Sequence, residues 1–317
     1  MSKSADTNRP IFVTMGEPAG IGPEIAVKAY NRLQGSVDSR PIKLVGDPDV
    51  FLACGAVPKR ALVATRNHAK RVAAKPNPAN SAAVCEAIEH SVKAAMNGTA
   101  AAIVTAPISK AVLAESEFRY PGHTEYLAQL THTHHAVMML CGADLRVVPL
   151  TTHVRLRDAV RAVTTESIVE TAKIMQVALR NDFRIEEPRI ALAGLNPHAG
   201  EAGILGSEEA DFIRPAAEQL RLDGVHVLGP LPADTMFHAE ARRQYDAALC
   251  MYHDQALIPI KALAFWEGVN VTLGLPIVRT SPDHGTAFDI ADKGTADPRS
   301  MVAAINLAAQ IADARGQ

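Results

Sequence analysis

The chain has 317 residues, 48% of them hydrophobic and 21% charged, with a formal net charge of −2. That length suits two domains or one large α/β domain with an elaborated half, and the composition is ordinary for a globular enzyme. The near-neutral charge, 4% aromatic content and single tryptophan argue against nucleic-acid binding, which needs a basic face and stacking platforms.

The N-terminal MSKSADTNRP is polar and lacks the apolar stretch of a secretory signal. No run of 18 apolar residues suggests a membrane span. Cys54, Cys85, Cys141 and Cys250 are dispersed without a CxxC pair, a pattern expected of free thiols in a reducing cytoplasm.

In chain order, IFVTM (11–15) reads as a first strand, and the glycine-rich MGEPAGIGPE (15–24) as the turn that opens a helix over 22–34. IKLVG (42–46) is the next strand, and KPNPANS (75–81) is a loop leading into a helix within 78–97. AAIVTA (101–106) runs into the strand-to-helix turn TAPISK (105–110), and PGHTEYLA (121–128) opens a helix with THTHH (131–135) at its solvated end. AVMMLC (136–141) and RVVPL (146–150) are strands, followed by a helix over 165–181 that starts at Thr165. RIALAGL (189–195), VHVLG (225–229) and AALCMY (247–252) are strands, with helices over 207–223 and 298–315. Apolar runs without strict alternation suit strands buried on both faces, as in a parallel sheet. Their alternation with helical patterns predicts a doubly wound α/β architecture.

His153, His198 and His253 each stand just past one of these strands. Strand ends of an open parallel sheet face the crevice where ligands bind. Neutral imidazoles bind zinc-like cations, and three protein ligands leave a position open for water or substrate. Any one of these histidines also suits a simple hydrogen bond at a strand end; their recurrence at equivalent places favours a shared metal site. Asp234, in GPLPADT, and Asp254, beside His253, reach the same rim as proton acceptors or as partners of a ligand imidazole. Asp234 equally suits the N-cap of a helix starting near 235.

Gly16, Gly20 and Gly22 permit tight turns before a helix N-terminus. The stretch is neither G-x-G-x-x-G nor a P-loop, and serves as a structural turn or a ligand loop. With so small a net charge, an anionic substrate must be held by local cations. Lys110, Lys261 and Arg279 are the candidate cations, with arginine suited to bidentate pairing and lysine to a point charge, and His123, Thr124 and Asn270 are further candidate donors. Asn270 and Arg279 sit in otherwise apolar segments, which favours a directed role.

TMGEPAGIGPE, TAPISK, PGHTEYLA, GLNPHAGEAGILGSEE, GPLPADTMF, MYHDQALIPIK and VNVTLGLPIVRTSPDHGTAFDIA together resemble the 4-hydroxythreonine-4-phosphate dehydrogenase family of vitamin B6 biosynthesis, from about residue 11 to 312. The resemblance implies NAD- or NADP-dependent oxidation of 4-phosphohydroxy-L-threonine, whose β-keto acid loses CO₂ to give 3-amino-2-oxopropyl phosphate. It implies one divalent ion (zinc, cobalt or magnesium) on His153, His198 and His253, and substrate contacts from His123, Thr124, Lys261, Asn270 and Arg279. It also implies a homodimer with active sites shared across the subunit interface, so that the histidines can come from both chains. SPDHGTAFDIADKGTADP is similar to the adenosine-side loop of isopropylmalate and isocitrate dehydrogenases, placing His284, Gly285, Thr286, Ala287, Phe288 and Asp289 beside the cofactor.

The implied fold is a two-domain α/β/α arrangement with the active site in the interdomain cleft at the dimer interface. Its cofactor-side domain is 1–120 plus 267–317; its substrate, metal and dimerisation domain is 121–266. Asp234, Asp254 and Lys110 are the candidate bases. Asp292, where the pattern has glycine, and Phe265-Trp266-Glu267 depart from the family beside ligand segments. The alternatives are a dehydrogenase of D-threonate or D-erythronate 4-phosphate, a metal-dependent hydrolase, and a non-catalytic ligand sensor; the DHGTAFDIA segment disfavours the hydrolase. No nucleic acid or membrane partner is expected, and the compartment expected is the cytoplasm.

Overall fold

The computed structural model describes residues 8–116, 118, 120 and 122–317; Pro121 of PGHTEYLA lies outside them. The strands are β1 (Ile11–Thr14), β2 (Ser36–Val37), β3 (Arg40–Gly46), β4 (Leu62–Ala64), β5 (Ala102–Val104), β6 (Val137–Gly142), β7 (Leu145–Pro149), β8 (Arg189–Ala193), β9 (His226–Leu231), β10 (Ala247–Cys250), β11 (Val269–Leu273) and β12 (Arg279–Pro282). The helices are α1 (Gly22–Arg32), α2 (Pro48–Leu52), α3 (Ser81–Met96), α4 (Lys110–Ala114), α5 (His123–Leu130), α6 (Leu156–Ala162), α7 (Thr165–Asn181), α8 (Arg214–Leu222), α9 (Ala239–Arg242), α10 (His253–Ala264) and α11 (Arg299–Ala314). None of the described helices is long and apolar enough to cross a membrane.

The chain folds as two units, one running up to Ala136 and resuming over Val269–Gln317, the other Val137–Gly268. In the first, the strands run β2-β3-β1-β5-β12-β11, with β4 pairing β3. β1 lies parallel to β3 and β5, and β12 parallel to β5, whereas β11 and β12 form an antiparallel pair. α11 packs on β12 and β5, its Ala304, Ile305 and Ala308 fully buried.

The second unit has the order β6-β7-β10-β8-β9, parallel except for the β6–β7 hairpin. Its core gathers Leu140, Val147, Ala191, Cys250, Ala256 and Ile260. Truncating a side chain such as Ile260 to alanine there costs about 2–5 kcal/mol. Both units are therefore mixed rather than purely parallel, because the hairpins are too short for a crossover helix.

Local chemistry sets the helix ends. α7 begins at Thr165, as the sequence predicts, behind a reciprocal cap between Thr164 and Ser167. No helix starts at 235: Asp234 lies in an exposed turn, and α9 begins at Ala239 with His238 as its cap. α10 has no counterpart in the sequence reading. Pro259 inside it removes one helical N–H bond, and burial of Ala256, Leu257 and Ile260 against the sheet outweighs that loss.

Candidate functional site

In the second unit β7, β10, β8 and β9 are consecutive parallel neighbours. The segments leaving their C-terminal ends carry His153, His253, His198 and Asp234, in that spatial order. Parallel strands deliver these segments to one rim of the sheet, the edge at which α/β proteins hold ligands.

Buried hydrogen bonds tie the rim together. The Leu150 N–H donates to the Cys250 carbonyl at 2.7 Å, and the Thr151 hydroxyl to the Met251 carbonyl at 2.9 Å. The Gln255 amide spans the next gap: Nε2 donates to the Gly194 carbonyl and Oε1 accepts from the Met251 N–H, both at 2.7 Å. The Gly194 N–H in turn donates to the Leu231 carbonyl at 2.7 Å.

The rings of His153 and His253 lie 5.8 Å apart, and with Tyr252 and Asp254 they line a pocket of about 290 Å³. Asp254 Oδ1 sits 2.7 Å from His253 Nδ1. This leaves Nε2 to face a ligand and reproduces the carboxylate–histidine pairing typical of metal ligands. The imidazole donors fit a cation of the zinc or cobalt class better than magnesium, which prefers oxygen.

His198 is exposed, in the 3₁₀ turn Pro197–Gly203. Among the described residues no three His, Cys, Asp or Glu side chains are grouped to hold a metal ion. Within one chain, then, His153 and His253 come together and His198 stands outside that pair. Asp234 and Asp254 are exposed, with Asp254 engaged by His253.

A second constellation belongs to the first unit. The β11–β12 register sets Asn270 opposite Ser281 and Val271 opposite Thr280, so Asn270, Thr272 and Arg279 share a face. Arg279 is 3% exposed. Its Nε and Nη2 donate to Thr105 Oγ1 at 3.1 and 2.7 Å, and its Nη1 to Thr272 Oγ1 at 2.8 Å. No carboxylate among the described residues pairs with it. Burial pulls its pKa down to about 9, as expected of a guanidinium with only neutral partners.

His123 Nε2 and Asn270 Oδ1 are also enclosed without a hydrogen-bond partner among the described residues. Burial first, then the Arg279 and Lys110 cations, holds the His123 pKa well below 6.5. A Cβ on Gly122 would meet Lys110 Cε at 3.1 Å and Nζ at 3.3 Å, so glycine there lets the ammonium lie against the start of α5. Cations, an enclosed imidazole and a helix N-terminus together suit a phosphate or carboxylate.

Thr124 is half-buried in the first turn of the same helix. Lys261 is half-buried on α10, in the second unit, nine residues before Asn270 along the chain.

The glycine-rich stretch packs against the 284–289 segment. The Ile21 N–H donates to the Thr286 carbonyl at 2.9 Å, and a Cβ on Gly20 would meet that oxygen at 2.7 Å. Ala287 is left-handed at φ 43° and leads into a 3₁₀ turn over Phe288–Ile290. His284, Gly285 and Asp289 are exposed. The Arg71 guanidinium donates to the Pro18, Gly20 and Ala291 carbonyls, clasping the two loops together.

Thr105, Thr272 and Gln255 escape a reading from sequence. Thr105 and Gln255 sit inside the motifs TAPISK and MYHDQ, and a polar residue at a buried position of such a motif is the only signal they carry.

A profile of the family described as "Pyridoxal phosphate biosynthetic protein PdxA" matches residues 26–308. A 4-hydroxythreonine-4-phosphate dehydrogenase of Caulobacter vibrioides is 48% identical over 98% of this chain and 99% of its own length. The crystal structure of the enzyme of that name from Klebsiella pneumoniae is 37% identical, with a TM-score of 0.84 over 96% of this chain and all of that one. A β-decarboxylating dehydrogenase from Thermococcus kodakarensis, 17% identical with a TM-score of 0.51 over 92% of this chain and 80% of that one, shares the fold alone. With a profile match over most of its length, full-length identity near one half, and the polar clusters described above at the motifs that carry the resemblance, this chain belongs to the PdxA family of pyridoxal phosphate biosynthetic proteins.

Proposed function

We propose that the protein oxidises 4-phosphohydroxy-L-threonine with NAD or NADP as hydride acceptor, in pyridoxal phosphate biosynthesis. The hydroxyl carbon loses a hydride to the nicotinamide and the hydroxyl loses a proton to a base. The resulting β-keto acid then releases its carboxylate as CO₂, leaving 3-amino-2-oxopropyl phosphate. The observation that carries this reading is the buried Arg279, held by two threonine hydroxyls beside the enclosed His123. A cation in that setting is matched by an anionic substrate.

In this reading Arg279, His123, Thr124, Asn270 and Lys261 hold the phosphorylated hydroxy acid, and remote binding energy at the phosphate positions the reacting carbon. The first unit carries the cofactor through His284–Asp289, and the second carries the metal ligands. His153, His253 and His198 hold a divalent cation, with His198 supplied across a homodimer interface. A bound cation would stabilise the alkoxide and the developing enolate. Asp254 orients His253, which leaves Asp234 and Lys110 as candidate proton acceptors.

Production of NADH or NADPH at 340 nm with 4-phosphohydroxy-L-threonine, compared with D-threonate and D-erythronate 4-phosphates, tests the assignment. Preferential turnover of either sugar-acid phosphate would replace it.

A further inference from the structure

The turn that presents His198 is unusual. His198, Ala199, Gly200, Glu201 and Ala202 all have positive φ, at 54, 50, 81, 41 and 56°. Left-handed backbone is disfavoured for every residue but glycine, and consecutive runs of it persist only where the surroundings enforce them.

Two carboxylates anchor the residue before the turn, and Glu208 Oε2 accepts from Asn196 Nδ2 at 2.8 Å. Asn196, just before the turn, is gripped at two points by the buried carboxylate of Glu209. Oε1 accepts the Asn196 N–H at 2.7 Å, and Oε2 accepts its Nδ2–H at 3.0 Å. The Asn196 carbonyl then accepts the Ala199 N–H at 3.1 Å, closing the first left-handed step.

The carboxylate is also seated by shape. A Cβ on Gly200 would stand 2.6 Å from Glu209 Oε2, and one on Gly194 would stand 3.3 Å from Oε1. Glu209 opens a π-helical turn, Glu209–Ile213, a local form frequent at functional sites. The widened turn precedes α8 and sets the carboxylate under the loop. A glutamate 2% exposed with both oxygens spent on one asparagine holds that asparagine in place.

We propose that Glu209 is the positioning residue for His198: it fixes the left-handed turn so that the imidazole stands in one orientation toward a divalent cation. The proposal rests on the reading of His198 as a metal ligand. Removing partners that orient metal ligands typically weakens metal binding about 10–100-fold.

The test is Co²⁺ binding by the full-length protein, followed by equilibrium dialysis and by the visible cobalt spectrum. Glu209→Ala, Glu209→Gln and His198→Ala are compared with the unsubstituted chain, with circular dichroism as the folding control. Glu209→Ala is expected to bind Co²⁺ about 10–100-fold more weakly, with an altered spectrum. Glu209→Gln should fall between, since its amide oxygen still accepts one N–H while its NH₂ opposes the other.

Loss of binding in His198→Ala with unchanged affinity in Glu209→Ala would overturn the positioning role alone. Unchanged binding in His198→Ala would overturn the metal reading of His198, and the proposal with it. Should Glu209→Ala fail to fold, Glu209→Gln decides: full cobalt affinity with an unaltered spectrum overturns the proposal.

Discussion

Arg279 donates to Thr105 Oγ1 through both Nε and Nη2, at 3.1 and 2.7 Å. A buried cation held by a hydroxyl instead of a carboxylate keeps its charge available to a ligand. Arg279→Ala should therefore raise KM for the phosphorylated substrate. A lost charge-assisted hydrogen bond costs about 1.5–3 kcal/mol, roughly 10–150-fold. Arg279→Met should leave the thermal midpoint unchanged or raise it, because it removes a desolvated charge. Steady-state kinetics and a melting curve check both, and an unchanged KM would remove Arg279 from the site.

The enclosed, neutral His123 predicts an acid-side loss of stability. Its folded pKa lies well below the ordinary imidazole value of 6.5, so between those two values the unfolded chain binds more protons than the folded one. Its contribution is thus complete above about pH 6.5 and declines as pH falls toward the depressed folded value. His123→Gln should flatten the pH dependence of unfolding below about pH 6.5. Superimposable profiles would contradict this. Saturating inorganic phosphate should raise the imidazole pKa, because a neighbouring anion favours the cation; an NMR titration measures that.

Asp254 distinguishes a metal-orienting carboxylate from a general base. Bonded to His253 Nδ1 at 2.7 Å, it should act through the ring. Asp254→Asn is expected to weaken metal affinity about 10–100-fold, with activity recovered at high metal concentration. A kcat that stays depressed at saturating metal, with the basic limb of its pH profile altered, would assign Asp254 to proton transfer instead.

Gln255 joins the strand ends that lead to His198 and His253. Gln255→Leu would leave the Met251 N–H and Gly194 carbonyl without their present partner, at about 1–3 kcal/mol each. A fall of several degrees in thermal midpoint is expected, together with weaker metal binding. A Gln255→Leu variant that melts with the unsubstituted protein would show that the rim does not depend on this bridge.

The strand positions were legible because parallel, doubly buried strands leave unbroken apolar runs such as RIALAGL and AALCMY. α10 was not, since Pro259 interrupts its pattern and only tertiary burial sustains it. β11 and β12 have no counterpart among the predicted strands, because polar Asn270, Thr272 and Arg279 break their apolar runs, and the antiparallel β6–β7 pairing depends on partners that composition does not name.

Family, α/β character and the placing of histidines just past strands are all legible along the chain, because they depend on local pattern and on motifs. Folding alone sets Arg279 on Thr105 and Thr272, pairs Asp254 with His253, and places Glu209 against Asn196 at the turn before His198. Each of these is a hydrogen bond whose strength depends on burial and distance between segments. Such contacts arise when the sheet orders its strands, and a linear pattern does not specify them.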